Sequence, residues 1–277
     1  MMGRRPLADV MTSEASPLAA AIAVQDSQTM AMVQAALETG RLRLAYQPVV
    51  MGSDPSRVGF YEGLIRVLDE SGRVIPARDF MDAVETQELG RQIDCAALDM
   101  GLRALREQPW LRLSINMSAR SVGYPRWMRI LKRGLSADPQ IGERLILEIT
   151  ESSAMLLPEL VVAFMDEMQM AGVTFALDDF GSGYTSLRYL RQFFFDILKI
   201  DGQFIRGIAR DPDNQVLTQA LMSVGRHFDM MVVAESVETA EDAAFLQANG
   251  VGAMQGYLFG APTVRPVWIE EKARKRA

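Results

Sequence analysis

Short apolar runs alternate with stretches of helical periodicity along most of the chain. Starting at about Ser27, the stretch SQTMAMVQAALETG places apolar residues at helical spacing between a serine cap and a closing Gly40, which predicts a helix. Beyond it, eight runs rich in apolar and β-branched residues predict strands: RLRLAYQPVV, VGFYEGLIRV, LRLSIN, RLILEIT, VTFALDD, FDILKID, MMVVAE and VGAMQGY. The turn residues GSDPS separate the first two runs, so we predict that these two strands form a hairpin.

Helical segments, among them 157–171, 212–228 and 239–249, lie between the later strands. Repeated β–α units predict an α/β fold with a parallel sheet covered by helices. Eight strands in one uninterrupted segment favour a closed barrel, and periodicity alone leaves an open doubly wound sheet as the alternative. No low-complexity linker interrupts the chain, so we predict one domain at 27–277, preceded by a tail or linker remnant at 1–26.

The composition narrows the class of protein. The 277 residues are 49% hydrophobic and 23% charged, which is typical of a globular protein. A net charge of −6 argues against general nucleic-acid binding, which normally uses a basic face. No apolar run approaches the roughly 20 residues of a membrane span. The single cysteine, Cys95, is typical of a reducing compartment. We therefore predict a cytoplasmic protein, or the cytoplasmic part of a larger, membrane-attached one.

Polar side chains mark the ends of seven predicted strands. In an α/β barrel the carboxyl ends of the strands share one face, and active sites lie on that face. One or two polar residues at strand ends would mean little, because strand ends face solvent. A whole ring of acidic residues would repel itself unless a cation lay at its centre. The residues concerned are Glu62, Asn116, Glu148 with Glu151 beyond it, Asp178 and Asp179, Lys199, Glu235, and Gln255.

This ring consists mainly of oxygen ligands. Carboxylate and amide oxygens favour hard cations such as Mg²⁺ or Mn²⁺. The only histidine, His227, and the only cysteine, Cys95, lie in predicted helices. Cys95 is expected to be a small buried residue and His227 to be structural or exposed, so a zinc site is not indicated. Adjacent Asp178 and Asp179 could reach two metal ions, with one carboxylate bridging them. Two ions about 3.5–4 Å apart favour in-line attack on a phosphodiester, so the residues predict phosphoester hydrolysis.

Eight motifs occur in the order found in one known family: YQPVV, YEGLIR, SINMSAR, LEITES, LDDFGSGYTSL, LKID, VVAESVET and QGYLFGAP. From about residue 30 to residue 265 the chain resembles the EAL-domain phosphodiesterases, which hydrolyse the bacterial second messenger cyclic di-GMP to linear 5′-pGpG. The resemblance implies a TIM-like (β/α)8 barrel whose first strand runs antiparallel to the others. It also implies two Mg²⁺ or Mn²⁺ ions and a homodimer contact near the DFGSGYTS loop, and it leaves room for an upstream sensor or cyclase domain.

The same resemblance implies roles for individual residues. Glu62, Asn116, Glu148 and Asp178 would bind the first metal, and Asp178 would bridge to the second metal with Asp179 as a further ligand. Lys199 would hold and polarise the attacking water, and nearby cations would lower its pKa. Glu235 would act near that water as a metal ligand or base.

The remaining implied roles concern support of the site and binding of the dinucleotide. Gln255 would steady the metal-bound water shell, and Glu151 would support the DFGSGYTS loop. Arg66 would contact a phosphate and Gln47 a base. Leu64 would pack on a guanine.

One position departs from the family signature Glu-Ala-Leu, which here is Glu62, Gly63 and Leu64. Glycine loosens a strand by roughly 0.5–1 kcal/mol relative to alanine, and a looser strand could misplace Glu62. All expected metal and lysine positions are kept, so we predict an active enzyme. A receptor that holds cyclic di-GMP without cleaving it, and a protein-interaction scaffold, are the alternatives.

Overall fold

The computed structural model describes residues 17–182 and 190–269. In this part of the chain nine strands form one sheet. They are β1 (Leu42–Met51), β2 (Asp54–Leu68), β3 (Val74–Pro76), β4 (Leu113–Asn116), β5 (Leu145–Thr150), β6 (Thr174–Phe180), β7 (Ile197–Ile200), β8 (Met231–Ala234) and β9 (Ala253–Gln255).

Helices cover the outside of this sheet. The α-helices are α1 (Pro17–Glu38), α2 (Met81–Val84), α3 (Glu88–Glu107), α4 (Pro125–Ala137), α5 (Glu151–Ala154), α6 (Pro158–Gln169), α7 (Gly202–Ile205), α8 (Pro212–His227) and α9 (Ala240–Ala248). Short 3-10 helices span Ala77–Asp79, Ala119–Ser121, Pro139–Arg144 and Ile208–Arg210. Within the described ranges, no helix is long and apolar enough to cross a membrane.

The sheet closes on itself into an eight-stranded barrel, and β3 extends β2 outside the ring. Strands β2 and β4 to β9 run parallel to one another around the barrel. Strand β1 is antiparallel to both of its neighbours, β2 and β9, and the pairing of Val49 with Gln255 closes the ring. The predicted TIM-like (β/α)8 barrel with an antiparallel first strand is therefore confirmed, and the open doubly wound sheet is wrong.

Two elements differ from the sequence-based expectation. Helix α1 begins at Pro17 and not at the Ser27 cap, because the alanine-rich stretch before Ser27 has high helix propensity. Part of the segment predicted as a tail is therefore helical, whereas residues 1–16 and 270–277 lie outside the described residues. Strand β3 was not predicted, since three residues are too few to show a periodic pattern.

An apolar layer fills the barrel below its carboxyl end. Its members come from seven of the eight barrel strands and are Val49, Phe60, Ile146, Ala176, Ile197, Val233 and Ala253. Successive side chains of a strand point to opposite faces, so the residue two positions nearer the carboxyl end of the barrel also points into it. This is the residue two positions later on the parallel strands and two positions earlier on the antiparallel β1. The layer therefore fixes which residues face the barrel interior at its open end.

Candidate active site

The inward positions above the apolar layer carry polar side chains on every barrel strand. They are Gln47 of β1, Glu62 of β2, Asn116 of β4, Glu148 of β5, Asp178 of β6, Lys199 of β7, Glu235 directly after β8, and Gln255 of β9. The chain thus changes from apolar to polar at one level of the barrel. Residues spread over more than two hundred sequence positions meet there in a single ring.

Lys199 lies among four carboxylates of this ring and is 1% exposed. Its Nζ is 2.7 Å from Oε1 of Glu235, 2.8 Å from Oε2 of Glu148 and 2.9 Å from Oδ1 of Asp178. Oε2 of Glu62 is 3.5 Å away. One ammonium group faces four acidic side chains, so its single positive charge cannot balance all four of them when they are ionised.

Burial and mutual repulsion change the titration of the carboxyl groups. Burial raises the pKa of Glu148 to about 8, and the neighbouring charge of Glu62 adds to the rise. Burial also raises the pKa of Glu235 well above its ordinary value. The pKa of Glu62 is lowered: burial acts to raise it, but Lys199 and hydrogen bonds from neighbouring amides outweigh that effect.

The four carboxylates also decide how Lys199 titrates. Burial acts to lower its pKa, but the carboxylates, led by Asp178 and Glu148, raise it well above the ordinary value. The sequence led us to expect a lowered pKa beside divalent cations. In the ring formed by the side chains alone, the direction is the opposite.

Side-chain amides fix the orientation of Glu62. Asn116 Nδ2 donates to Oε1 of Glu62 over 2.7 Å, and Gln255 Nε2 donates to Oε2 over 2.6 Å. The Gln255 amide also lies 3.1 Å from Oε1 of Gln47, whose own Nε2 donates to the carbonyl of Gly260 over 3.1 Å. Strands β1, β4 and β9 are thereby connected to the carboxylate carried by β2.

Two overlapping groups of acidic side chains have the geometry to hold metal ions. Glu62, Glu148 and Asp178 offer oxygens within 4.8 Å of one another, and so do Asp178, Asp179 and Glu235. Asp178 belongs to both groups. Oε1 of Glu148 is buried without a hydrogen-bond partner in the described part of the chain, which is costly unless a cation or proton meets it. The oxygen donors fit Mg²⁺ or Mn²⁺.

A sharp backbone turn brings Asp179 toward the second group. Strand alternation would point Asp179 away from Asp178, but the β6–β7 register shifts between Leu177 and Phe180. Asp179 has a φ of 55°, in the left-handed region that few residues other than glycine adopt. Its carbonyl accepts hydrogen bonds from the amide and hydroxyl of Ser182 over 3.1 and 2.7 Å. Burial, with the Asp178 charge, raises the pKa of Asp179 to about 6.

Glu151 contacts the beginning of the loop that follows this turn. Its Oε2 accepts a hydrogen bond from the amide of Gly181 over 3.1 Å. Residues 183–189, which hold most of the loop and the expected dimer contact, lie outside the described residues.

A cavity of about 680 Å³ opens above the ring. Lys199 and Glu235 line this cavity. The residues expected to contact the dinucleotide line it as well, namely Gln47, Leu64 and Arg66. Arg66 is buried, and in the described ranges it forms no salt bridge; its NH1 donates to the carbonyl of Ile65 over 2.9 Å. The cavity therefore contains a cation whose remaining donors are available to an anionic ligand.

The sequence reasoning missed two further arginines of the cavity wall, Arg78 and Arg206. Arg206 NH2 donates to Oγ of Ser236 over 3.0 Å, next to Glu235. Neither arginine directly follows a barrel strand, so the strand-end pattern could not mark them. The only sequence signal for these two arginines was that each lies in a segment that follows a strand and leads away from the predicted barrel opening.

Cys95 and His227 lie outside this site. Cys95 is buried on α3, and burial raises the pKa of its thiol to about 11. His227 is exposed at the end of α8. The buried Cys95 and the exposed His227 agree with the prediction for each residue.

Comparison with known proteins identifies the family. The EAL domain profile matches residues 30–262. The chain belongs to the EAL domain family. The bifunctional diguanylate cyclase/cyclic di-GMP phosphodiesterase MucR of Pseudomonas aeruginosa is 32% identical over 247 residues, which is 87% of this chain and 36% of that protein. The cyclic di-GMP phosphodiesterase PdeR of Escherichia coli is 32% identical over 231 residues, which is 82% of this chain and 35% of that protein. The chain thus spans about a third of the length of these relatives.

Two solved structures are similar to this chain along nearly their whole length. The MucR phosphodiesterase in complex with c-di-GMP has a TM-score of 0.77 and 31% identity, covering 85% of this chain and 97% of that one. The FimX EAL domain from Pseudomonas aeruginosa bound to c-di-GMP has a TM-score of 0.78 and 25% identity, covering 86% of this chain and 97% of that one.

The raised pKa of Glu148 predicts a pH-dependent stability of the metal-free EAL domain. The folded state keeps a proton on Glu148 that the unfolded chain loses above the ordinary pKa of 4.5, so the free energy of unfolding should fall as the pH rises from 4.5 to about 8. Glu148→Gln should reduce this slope by at most about 1.4 kcal/mol per pH unit, the value for one proton. Denaturant unfolding with EDTA across this pH range measures the slope.

The exposed Glu159, changed to Gln, provides the matched control and should keep the wild-type slope. Equal slopes for the wild type and Glu148→Gln would contradict the raised pKa of Glu148 in the folded state.

Proposed function

We propose that this EAL domain is an active, metal-dependent phosphodiesterase that hydrolyses cyclic di-GMP to linear 5′-pGpG. The observation that carries the proposal is the pair of acidic groups that share Asp178, at the base of a cavity with a buried arginine in its wall. The names of the similar proteins and the c-di-GMP complexes of similar EAL domains support this substrate.

The two acidic groups support the following set of metal ligands. One ion would be held by Glu62, Glu148 and Asp178. The side-chain Oδ1 of Asn116 would be a further ligand, because the Nδ2 of the same amide already donates to Glu62. Asp178, Asp179 and Glu235 would hold the second ion. Bound ions of this kind lower the pKa of water and offset charge on phosphate oxygens.

Lys199 would hold the attacking water, and Glu235 would accept its proton. The ammonium of Lys199 can donate to the water oxygen and keep it at the base of the cavity. Glu235 lies 2.7 Å from that ammonium, so its carboxylate is placed to accept the proton that the water gives up. A 5′-phosphate product requires that the water oxygen bonds to phosphorus, that the bond to the 3′ oxygen breaks, and that this oxygen gains a proton.

The cavity wall would orient the dinucleotide. The planar guanidinium of Arg66 matches a phosphate, since its donors form a rigid fork. Leu64 offers an apolar surface to a guanine, and Gln47 offers an amide to a base edge. A homodimer, a cytoplasmic location and an additional sensor or cyclase domain in the natural protein belong to the same proposal.

Turnover of cyclic di-GMP tests the proposal. Purified protein with Mg²⁺ or Mn²⁺ should produce 5′-pGpG, EDTA should abolish the product, and restored metal should recover it. Activity measured over a range of protein concentrations shows whether it depends on dimer formation. Folded, metal-loaded protein that binds cyclic di-GMP but forms no product would select the receptor alternative. Protein that does not bind the nucleotide would contradict both the enzyme and the receptor hypotheses, and only the protein-interaction scaffold would remain.

Asp178→Asn should lower the hydrolysis rate by more than about 100-fold, because it weakens both metal groups at once. The fold should persist, since Asp178 lies on a strand in the closed barrel. Circular dichroism checks the fold, and steady-state kinetics measures the loss. Asp166→Asn, on an exposed part of α6, should keep full activity. Retained activity in Asp178→Asn would refute the metal assignment.

A further inference from the structure

Gly63, which replaces the alanine of the family signature, lies on β2 opposite Ile115 of β4. A Cβ built at Gly63 would lie 2.7 Å from Cδ1 of Ile115, which is closer than carbon atoms pack. The next nearest atoms, the carbonyl oxygen of Ser114 and Cδ1 of Leu113, are 3.2 and 3.4 Å away. Cδ1 of Ile115 is therefore the main obstacle to an alanine methyl at this position, and the carbonyl oxygen of Ser114 is a smaller one.

Gly101 on α3 faces the same side chain. A Cβ at Gly101 would lie 2.7 Å from Cδ1 and 2.8 Å from Cγ1 of Ile115. Ile115 is fully buried. Two glycines on separate elements thus form a slot, and the end of one isoleucine fills it.

The slot adjoins the site on both strands. Gly63 directly follows Glu62, and Ile115 directly precedes Asn116, whose Nδ2 donates to Glu62 over 2.7 Å. Neighbouring residues of a strand point to opposite faces, so a shift of either outward residue moves an inward ligand. We propose that Ile115 is a positioning residue whose Cδ1, seated between Gly63 and Gly101, fixes Glu62 relative to Asn116.

This fit gives Gly63 a role different from the loosening expected of a strand glycine. Without a methyl group at residue 63, Ile115 can approach both β2 and α3. The packing part of the inference is independent of the reaction, and only its consequence for metal binding rests on the proposed function.

A double-mutant cycle on melting temperature, measured in EDTA, tests the packing. Gly63→Ala should lower Tm by about 5 °C through overpacking, and Ile115→Val by about 3 °C through the loss of Cδ1. The double variant should melt within about 1 °C of Ile115→Val alone, since valine lacks the atom that clashes most and only the 3.2 Å approach to the Ser114 carbonyl oxygen remains. A fall equal to the sum of the single shifts, or an unchanged Tm in Gly63→Ala, would overturn the proposal.

Gly101→Ala provides an internal control. Valine keeps Cγ1, which lies 2.8 Å from the built Cβ at Gly101. Gly101→Ala should also lower Tm, because its Cβ would meet both Cδ1 and Cγ1 of Ile115. Ile115→Val should therefore rescue Gly63→Ala but leave the Tm loss of Gly101→Ala in place. Equal rescue of both glycine variants would show general core relaxation and contradict the specific fit.

Mn²⁺ titration by calorimetry tests the positioning role. Gly63→Ala should weaken Mn²⁺ affinity about tenfold, and the double variant should return to within about threefold of the wild type. Recovery of Tm without recovery of Mn²⁺ affinity would overturn the positioning role. Wild-type protein that binds no Mn²⁺ would contradict the proposed function and the positioning role together, while the Tm cycle would still decide the packing.

Discussion

A buried ammonium group beside four carboxylates is stable only when the surrounding structure holds every partner in place. Lys199 is in this position, 2.7–3.5 Å from acidic groups carried by β2, β5, β6 and the end of β8. A closed barrel meets the requirement because it brings the inward positions of all its strands to one level. The amides of Asn116 and Gln255 add the hydrogen bonds that orient Glu62. The excess of negative charge that remains makes the same ring suitable for divalent cations.

The boundary between core and site follows from the two-residue repeat of the strands. Phe60 and Glu62 of β2 point the same way, as do Ile146 and Glu148 of β5. The apolar member packs the interior, and the polar member lies above it at the barrel opening. This arrangement leaves the polar side chains of the ring little freedom, and a site built in this way needs little reorganisation when it binds a cation.

The sequence predicted the eight barrel strands and the polar ring, because both follow from periodicity and from where strands end. It could not close the barrel without the family resemblance, since closure depends on the pairing of β1 with β9. It also could not predict the turn at Asp179, which depends on a shift in the β6–β7 register. Gly63 led to an expectation of looseness, whereas three-dimensional packing fills the empty position with Ile115, a residue distant in sequence.

The central claim is that Asp178 is shared by two metal ions. Crystals grown with Mn²⁺ and an unreactive cyclic di-GMP analogue would test it by anomalous diffraction. The account predicts two anomalous peaks in the ring, with the Asp178 carboxylate contacting both, Glu148 at one ion and Asp179 at the other. A single peak, or two peaks that leave Asp178 without a metal contact, would contradict it.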